Sequence, residues 1–402
     1  MGEPNVDPEA RLADGSLWAA LCTALEQART KLRDPSFPDT PADRAEYHRY
    51  LLRFFASGIA TCVEHADPDH PEFTRMMDLN RRWGLDSPDH LYLFATIRGD
   101  DAYRISGDPG SANLLDIQVN AGHYALGAVG ALKTIASITG DELVRERDGS
   151  FVLQLGGGKR PGNWLPLAPE ARFVQVRQVF ADWERERPAD LIIERLGGPV
   201  LRPRLAAEAI QERIELLMSW LERGGALWRD MSKVMLAQKP NTLIIPPLDQ
   251  SNAHAGLRGQ AYGMGNFQCG PGEAVIFECR PPHCRHWSVS LANWWWEAID
   301  FSARQSSLNH AQARLDADGT FRGVIAHEDP GVPNWLDTAG HEKGTLIARF
   351  VMAEEAPVIR TRSVKLSALR DELPAETPRV SPAERDASLA RRQRAVWRRF
   401  RV

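Results

Sequence analysis

A sequence pattern that occurs twice places the strongest constraint on how this chain can fold. Each copy contains an Asp-Gly turn followed by a hydroxyl residue and phenylalanine, then Asn-Trp-Leu, and then an arginine. The first copy consists of Asp148–Phe151, Asn163–Leu165 and Arg177, and the second of Asp318–Phe321, Asn334–Leu336 and Arg349. The spacings within the two copies differ by only one residue. The pattern therefore predicts two related β-rich units.

The periodicity of apolar residues extends this prediction along the chain. Leucine and alanine recur at helical spacing from Ser16 to Leu32. The sequence Thr40-Pro41-Ala42-Asp43 is a favourable helix start, because it supplies an N-cap, a proline at the first helical position and an acid. Another helical stripe covers 203–223. Elsewhere, short apolar runs are divided by Gly, Pro and Asp, which is typical of antiparallel strands.

The predicted fold class is therefore α+β, with two related antiparallel β-sandwich units. We expect five regions along the chain. They are a helical N-terminal region over 1–88, a first β-sandwich over 89–200, a helical connector over 201–240, a second β-sandwich over 241–366 and an arginine-rich tail over 367–402.

Composition argues against several classes of protein. The chain has 402 residues and a net charge of -4, so no general attraction to nucleic acid or anionic lipid is expected. No stretch reaches the ~18 apolar residues of a membrane span, and the first residues lack the features of a secretory signal. The five cysteines are without zinc spacing. We therefore expect a cytoplasmic protein with reduced thiols.

Three kinds of site can be weighed from local motifs. His283 and His286 could share a metal only if the prolines before them bend the strand, because residues three apart on a strand lie on opposite faces. Cys284 lies beside arginine and histidine, which would lower its pKa, although an inert thiol is the alternative. Gly156–Arg160 is glycine-rich and basic but lacks the Walker and Rossmann patterns, which favours a hairpin or loop. We therefore predict neither a metal nor a cofactor.

Residues suited to acid–base chemistry are concentrated in the second copy, whereas the first has only His123 in its corresponding body. This asymmetry predicts a metal-independent catalytic site in an aromatic-lined pocket of the second β unit. The predicted catalytic residues are His310, His327, Asp300, Arg304 and His341. The predicted substrate-binding residues are Trp287, Trp295, Trp335, Asn334 and Tyr262.

Each group in that prediction has a chemical role and a structural alternative. Histidine would transfer the proton, Arg304 would hold an anionic or carbonyl oxygen, and Asp300 would orient the base. The tryptophans would form apolar walls that exclude water. Alternatively, Asn334 caps a turn and Trp335 fills the sandwich core.

Two further features concern surfaces. Trp294-Trp295-Trp296 cannot all point inward on a strand, because side chains alternate between its faces. At least one of them should therefore line a groove, a ligand or a subunit contact. The tail from Ser381 holds seven arginines against two acids. It could bind a polyanion, although Val396, Trp397 and Phe400 favour packing on the same chain or on a neighbouring subunit.

The stretch Cys284–Arg349 contains HWSVSL, SSLNHAQARLDADGTF and AHEDPGVPNWLDTAGHEKGTLIARF. It resembles the bacterial family known as domain of unknown function 1214. The resemblance is strongest over 240–366 and weaker over 82–195. It implies jelly-roll-like antiparallel sandwiches, and it assigns no catalytic residue. The first copy departs from the family pattern, because it lacks the Asp-Pro-Gly and has Leu114-Leu115-Asp116 where the second has His286-Trp287-Ser288.

Two functions remain open from the sequence. The first is an enzyme, a lyase or hydrolase, that acts on a small, largely apolar, oxygenated metabolite by elimination, hydration or hydrolysis. The second is a non-catalytic small-molecule binding or assembly protein whose tryptophan-rich surface forms a subunit interface. As partners we expect a small-molecule substrate and further copies of the chain in a homo-oligomer, but no nucleic acid and no membrane.

Overall fold

The computed structural model describes residues 7–128, 132–246, 248, 256–257 and 259–400. Its strands form two units with nine strands each. The first unit contains β1 (Thr74–Met77), β2 (His90–Thr96), β3 (Tyr103–Asp108), β4 (Leu114–Ala121), β5 (Lys133–Thr139), β6 (Phe151–Leu155), β7 (Asn163–Leu165), β8 (Ala171–Val179) and β9 (Asp190–Arg195). The second contains β10 (Leu243–Ile244), β11 (Ala261–Gln268), β12 (Glu273–Cys279), β13 (His286–Ala292), β14 (Ser307–Asn309), β15 (Phe321–Ala326), β16 (Trp335–Asp337), β17 (Lys343–Val351) and β18 (Ile359–Lys365).

The two units have the same topology. Each has a five-stranded sheet, ordered β1-β2-β8-β4-β5 in the first unit and β10-β11-β17-β13-β14 in the second. Each also has a four-stranded sheet, ordered β7-β6-β3-β9 and β16-β15-β12-β18. Pairing is antiparallel except at β6–β7 and β15–β16, which are parallel in both units. The internal repeat and the α+β fold with two sandwich units are thus confirmed.

Strand register shows which residues of the two units are equivalent. Arg177 lies opposite Asp116 on β4, and Arg349 lies opposite Ser288 on β13. The sequence Leu114-Leu115-Asp116 therefore occupies the place of His286-Trp287-Ser288. The conserved topology thus carries different side chains at the same positions of the two units.

The Asn-Trp-Leu motif is structural in both copies. Asn163 accepts a hydrogen bond from the Val144 amide and donates to the Val144 and Val152 carbonyls. Asn334 makes the same three bonds with Arg314 and Arg322. The indole of Trp335 donates to the Ala326 carbonyl and is buried. This motif therefore closes a hairpin in each unit.

The five-stranded sheets lie in the interior of the molecule. In the four-stranded sheets, β3 mixes buried, half-buried and exposed residues and β18 has only half-buried and exposed ones, whereas nearly every residue of β4, β8, β13 and β17 is buried. One face of each five-stranded sheet packs on the four-stranded sheet of its own unit. The other face must therefore be covered by helices or by the other unit.

Helices supply part of that cover. They are α1 (Pro8–Ala13), α2 (Ser16–Lys31), α3 (Pro41–Gly58), α4 (Ala207–Ser219), α5 (Gly225–Leu236), α6 (Leu369–Glu372) and α7 (Pro382–Phe400). Helix α3 continues as a π-helix over Ile59–Glu64, and a second π-helix over Trp220–Gly224 joins α4 to α5. Short 3₁₀-helices span Tyr124–Leu126 and Leu366–Ala368. Within the described residues, no helix is both long and apolar enough to span a bilayer.

The predicted helix start at Thr40 is present. The Thr40 hydroxyl accepts from the Asp43 amide, and the Asp43 carboxylate accepts from the Thr40 amide, which forms a capping box. The predicted boundary at residue 88 differs from the structure, because β1 already belongs to the first unit. Its four residues include Arg75 and lack an alternating pattern, so they gave no strand signal.

The arginine-rich tail forms α7, which packs on its own chain. Val396 and Phe400 join a buried cluster with Phe180 and Phe301, and thus contact both units. Arg392 donates to the Phe301 carbonyl and the Ser307 hydroxyl. The docking face of the tail is therefore occupied by this chain.

The tryptophan run differs from the sequence expectation. Trp294, Trp295 and Trp296 are all buried. They do not form a strand: a turn closed by hydrogen bonds between Asn293 and Glu297 reverses the chain, and Trp296 has a φ of 57°. The alternation argument was wrong here because it assumed extended backbone. The run is buried within this chain, so it does not provide an exposed surface for a subunit interface.

Candidate ligand-binding site

A cavity of about 350 Å³ lies where the outer faces of the two five-stranded sheets meet the helices. This volume falls within the range of small-molecule sites, about 300–1,000 Å³. Both units, helix α5 and the turn at Trp296 contribute to its wall. The site therefore depends on both units at once.

Equivalent residues of the two units line this cavity. Tyr92 pairs with Arg177 across β2 and β8, and Tyr262 pairs with Arg349 across β11 and β17. All four line the cavity, together with His90. The arginine of the sequence repeat thus supplies one buried cation from each unit.

Arg349 is only 3% exposed and has no close carboxylate partner among the described residues. Its guanidinium donates to the Leu85 carbonyl at 2.7 Å, the Tyr262 hydroxyl at 2.9 Å and the Ser290 hydroxyl at 3.3 Å. These bonds use three of its five N–H groups. A buried cation normally requires a counter-ion, so Arg349 is suited to an anionic ligand.

Arg177 has a different environment. It donates to Gln118 at 2.8 Å and to Gln175 at 2.7 Å, and the Asp116 carboxylate lies 3.8 Å away. The second unit has Ser288 in place of Asp116, so the corresponding acid is missing beside Arg349. Within the described part of the chain, no Asp or Glu lines the cavity.

The two tyrosines present hydroxyl groups that already accept a hydrogen bond. Tyr92 accepts from the Ser87 amide at 3.1 Å, and Tyr262 accepts from Arg349. Burial raises the pKa of both phenols, while Arg349 acts in the opposite direction on each. Both phenols therefore stay protonated at neutral pH, and each can donate its O–H to a ligand.

His90 is the second unusual polar group of the cavity. It is 5% exposed, and neither ring nitrogen has a hydrogen-bond partner among the described residues. Burial lowers the pKa of His90 well below its ordinary value of 6.5, and Arg349 contributes in the same direction. The imidazole is therefore neutral at pH 7, with one donor and one acceptor nitrogen available.

Apolar side chains form the remainder of the wall. Trp228 and Trp296 lie with ring centroids 6.0 Å apart, and their indole nitrogens have no partner within the described residues. Met231, Met264 and Leu132 complete this surface. A ligand would thus contact mainly apolar groups with a few polar anchors, as is usual for small-molecule sites.

The structure does not bring the predicted catalytic residues together. His327 is bonded to the Cys269 carbonyl and Thr338, and His341 lies 3.4 Å from Glu46. Arg304 pairs with Asp337, and Asp300 caps the turn at Ser302. His310 lies elsewhere, against His286. These residues satisfy separate local contacts, so the structure does not gather them in one pocket of the second unit.

Of the predicted binding residues, Tyr262 lines the cavity. Trp287 packs on Phe321 inside the second sandwich, and Trp295 packs on Tyr47 beneath α3. Trp335 and Asn334 belong to the hairpin described above. Asn334 thus agrees with its structural alternative, whereas Trp335 packs with Leu369 and Leu373 rather than in the core between the two sheets.

A buried cluster connects His310 with the neighbourhood of the cavity. His286 Nε2 lies 3.4 Å from the Asp89 carboxylate, and the His286 and His310 rings are 5.1 Å apart. Asp89 also accepts from Asn309 and Trp183. Asp89 immediately precedes His90, so one ionisable cluster approaches the cavity from the side of β13.

The local motifs are explained without a ligand. His283 is exposed and pairs with Glu354, whereas His286 is buried, so the two do not share a site. Across the described ranges, no three His, Cys, Asp or Glu side chains converge to hold a metal. Burial raises the pKa of Cys284 to about 11, which opposes the expected activation. The Gly156 amide donates to the Leu165 carbonyl just beyond the parallel pair β6–β7, and Gly156–Arg160 lies in the loop that connects these two strands.

Sequence reasoning missed Arg349, Arg177, Tyr92 and His90 as site residues. One signal was available: an arginine recurs at the same place in both copies, within the apolar runs Phe173–Phe180 and Thr345–Met352. A charged residue in a buried strand requires a specific partner. How the two units pack against each other could not be predicted from the sequence pattern of either copy alone.

Comparison with known proteins is consistent with this architecture. The family described as "Protein of unknown function (DUF1214)" matches residues 95–181 and 275–355, one segment in each unit. The chain is also similar to an uncharacterized protein from Burkholderia cenocepacia, with 30% identity and a TM-score of 0.85. That match covers 89% of this chain and 99% of the other. The chain belongs to the DUF1214 family.

A more distant likeness links this DUF1214 protein to the VPA0106 protein from Vibrio parahaemolyticus. The two are 14% identical with a TM-score of 0.43, over 78% of this chain and 98% of the other. Among curated proteins, none matches the DUF1214 chain.

Proposed function

We propose that this protein binds a small, largely apolar, oxygenated molecule in the cavity between its two β units. The observation that supports this most directly is the convergence of Arg177, Arg349, Tyr92 and Tyr262, from matching positions, on one cavity. Buried polar groups are expensive to maintain unless they are satisfied. A ligand oxygen would accept hydrogen bonds from Arg349 and the tyrosine hydroxyls, and the tryptophans would contact its apolar body.

Ligand binding to the folded state should raise the thermal stability of the protein, and the increase should grow with the logarithm of ligand concentration once the site is saturated. The test is calorimetric titration and thermal unfolding with small apolar alcohols, amides and acids. A Met264→Trp variant should abolish these effects, because Met264 lines the cavity and a larger side chain would fill it. Ile192→Trp is the matched control, since Ile192 is exposed on β9.

The outcomes of this test are distinct. Binding that persists in Met264→Trp would place the ligand elsewhere and contradict the proposal. Absence of binding by every compound class would also contradict it. Loss in both tryptophan variants would indicate a general effect of the substitution.

A second candidate function is metal-independent acid–base catalysis in the same cavity, and His90 favours it. Its two unpartnered nitrogens are available to a ligand, and a neutral imidazole can accept a proton. In this proposal His90 takes the role that the sequence prediction gave to His310 and His327. Such a site would support elimination, hydration or hydrolysis of the bound molecule.

Hydrogen exchange provides a test that needs no assigned reaction. An apolar oxo-acid would be incubated with the protein in heavy water, and deuterium entering beside its carbonyl would be followed by NMR. Catalysis by His90 predicts exchange that is lost in His90→Gln while calorimetric binding remains. Equal exchange in both proteins would contradict the catalytic role and leave the binding proposal intact.

A further inference from the structure

The charges around the cavity specify what kind of oxygenated molecule it accepts. Arg177 and Arg349 are permanently charged and line the cavity, whereas no carboxylate of the described residues does so. Asp116 lies 3.8 Å from Arg177 and offsets that charge. Among the described residues, Arg349 has only neutral oxygens as hydrogen-bond partners. One positive charge therefore has no close counter-charge within the described part of the chain.

The Asp86 carboxylate also interacts electrostatically with Arg349, but it does not pair with this guanidinium. Its carboxylate accepts from the Ala298 amide and interacts with Arg82 more strongly than with Arg349. Burial raises the pKa of Asp86 to about 6, and Arg82 acts in the opposite direction. Asp86 also does not line the cavity.

The polar groups beside Arg349 are arranged as donors for an anion. Tyr262 accepts from Arg349 and thereby keeps its own proton for another acceptor. Tyr92 is in the same situation through the Ser87 amide. His90, which is buried with both nitrogens unpartnered, adds a third donor in its neutral form. A carboxylate has two oxygens and about four acceptor positions for such donors.

We infer that the ligand is a small monocarboxylic acid with an apolar body. Its carboxylate binds Arg349 and the hydroxyls of Tyr262 and Tyr92, and its body lies against Trp228 and Trp296. One uncompensated cation favours a single negative charge over a phosphate dianion. This inference rests on the proposed binding function and adds the charge and chemical class of the ligand.

The first experiment needs only the unmodified protein. Calorimetry compares octanoate with octanamide and octanol, which share its apolar chain, and phenylbutyrate represents aromatic acids. A carboxylate that makes charge-assisted bonds in a buried site should bind about ten- to a hundredfold more tightly than its amide or alcohol. The preference between octanoate and phenylbutyrate then distinguishes an aliphatic from an aromatic acid.

Variants then test which residues bind the carboxylate. Arg349→Met should remove the preference for acid over amide, and Tyr262→Phe should reduce it while keeping the ring in place. Arg104→Met is the matched control, because Arg104 pairs with Glu194 on the four-stranded sheet of the first unit. If Arg349→Met does not fold, the comparison of ligands and the Tyr262→Phe variant still decide the inference.

Failure of this inference differs from failure of the binding proposal. If octanol and octanamide bind as tightly as octanoate and Met264→Trp blocks all three, the cavity is a neutral site and the carboxylate inference is overturned. If no compound of the series binds, the binding proposal itself is overturned. If the preference for the acid survives both Arg349→Met and Tyr262→Phe, these two residues do not bind the carboxylate and the inference is also overturned.

Discussion

Arg177 and Arg349 occupy equivalent positions on the central strands of the two units, and both line the same cavity. Duplication of a sandwich thus produced a pair of buried cations on facing sheets. The second unit has Ser288 where the first has Asp116, and this difference leaves Arg349 without a close acid among the residues that the structure describes. Divergence at one strand position therefore determines the charge of the site.

We predict that His90 contributes to binding at the expense of stability. Its imidazole is buried without hydrogen bonds among the described residues, so His90→Leu should leave the free energy of unfolding unchanged or raise it by about 1 kcal/mol. The same variant should weaken octanoate binding because it removes a donor. Chemical denaturation and calorimetry on one preparation measure both effects.

The control for that variant is His283→Leu, since His283 is exposed and does not line the cavity. It should alter neither quantity appreciably. A His90→Leu protein that is destabilised by several kcal/mol would show that the imidazole has a structural partner.

Stability should fall in mild acid because of His123. Burial lowers the pKa of His123 to about 4, from 6.5 in the unfolded chain. The unfolded state therefore takes up a proton below about pH 6.5 while the folded state does not, and stability is lost as pH falls from about 6.5 to 4. Protonation at Nδ1 would also remove the bond that this atom accepts from the Ala125 amide.

The contribution is isolated by difference. His123→Asn retains a side-chain acceptor for that amide but does not titrate. The free energy of unfolding of the unmodified protein should lose up to about 2–3 kcal/mol relative to this variant between pH 7 and 4. Parallel pH curves for the two proteins would mean that His123 is not responsible.

The sequence predicted the parts of the fold that depend on local patterns. The repeat gave two units of equal topology, and the capping sequence at Thr40 gave the start of α3. Both signals depend on residues close together in the chain. The tryptophan run was misinterpreted because Asn293 and Glu297 close a turn there, and this turn depends on contacts with distant helices.

The site was less accessible to sequence analysis for a physical reason. His310, His327 and His341 are close in sequence, yet each meets partners from a different part of the fold. In contrast, Arg177 and Arg349 are far apart in sequence and share one cavity. A high density of ionisable residues along the chain was therefore a poor guide to the site. The arginine that recurs at equivalent positions of the two copies was the informative signal.

The C-terminal helix should be required for stability. Phe400 is 3% exposed in the cluster shared by both units, so Phe400→Ala should lower the free energy of unfolding by about 3 kcal/mol. Trp397→Ala removes a larger ring that is 47% exposed and should cost much less. Urea denaturation compares the two, and equal losses would contradict the packing assigned to α7.

A buried ion pair should connect the N-terminal helices to the cavity. Arg53 on α3 lies 3.0 Å from the Glu297 carboxylate, which is almost fully buried and directly follows Trp296. Arg53→Met leaves that carboxylate with Asn293 as its remaining side-chain hydrogen-bond partner among the described residues. It should therefore cost about 3 kcal/mol. The Arg49→Met control breaks a pair between the exposed Arg49 and the half-buried Glu46 on the same helix and should cost less than about 1 kcal/mol.

The double variant distinguishes loss of the ion pair from loss of packing. Glu297→Gln in the Arg53→Met background removes the isolated charge and should restore part of the lost stability, measured by urea denaturation. Because Glu297 holds the turn that presents Trp296, Arg53→Met should also weaken octanoate binding, and the double variant should recover it. If stability recovers and binding does not, the ion pair stabilises the fold but does not support ligand binding through Trp296.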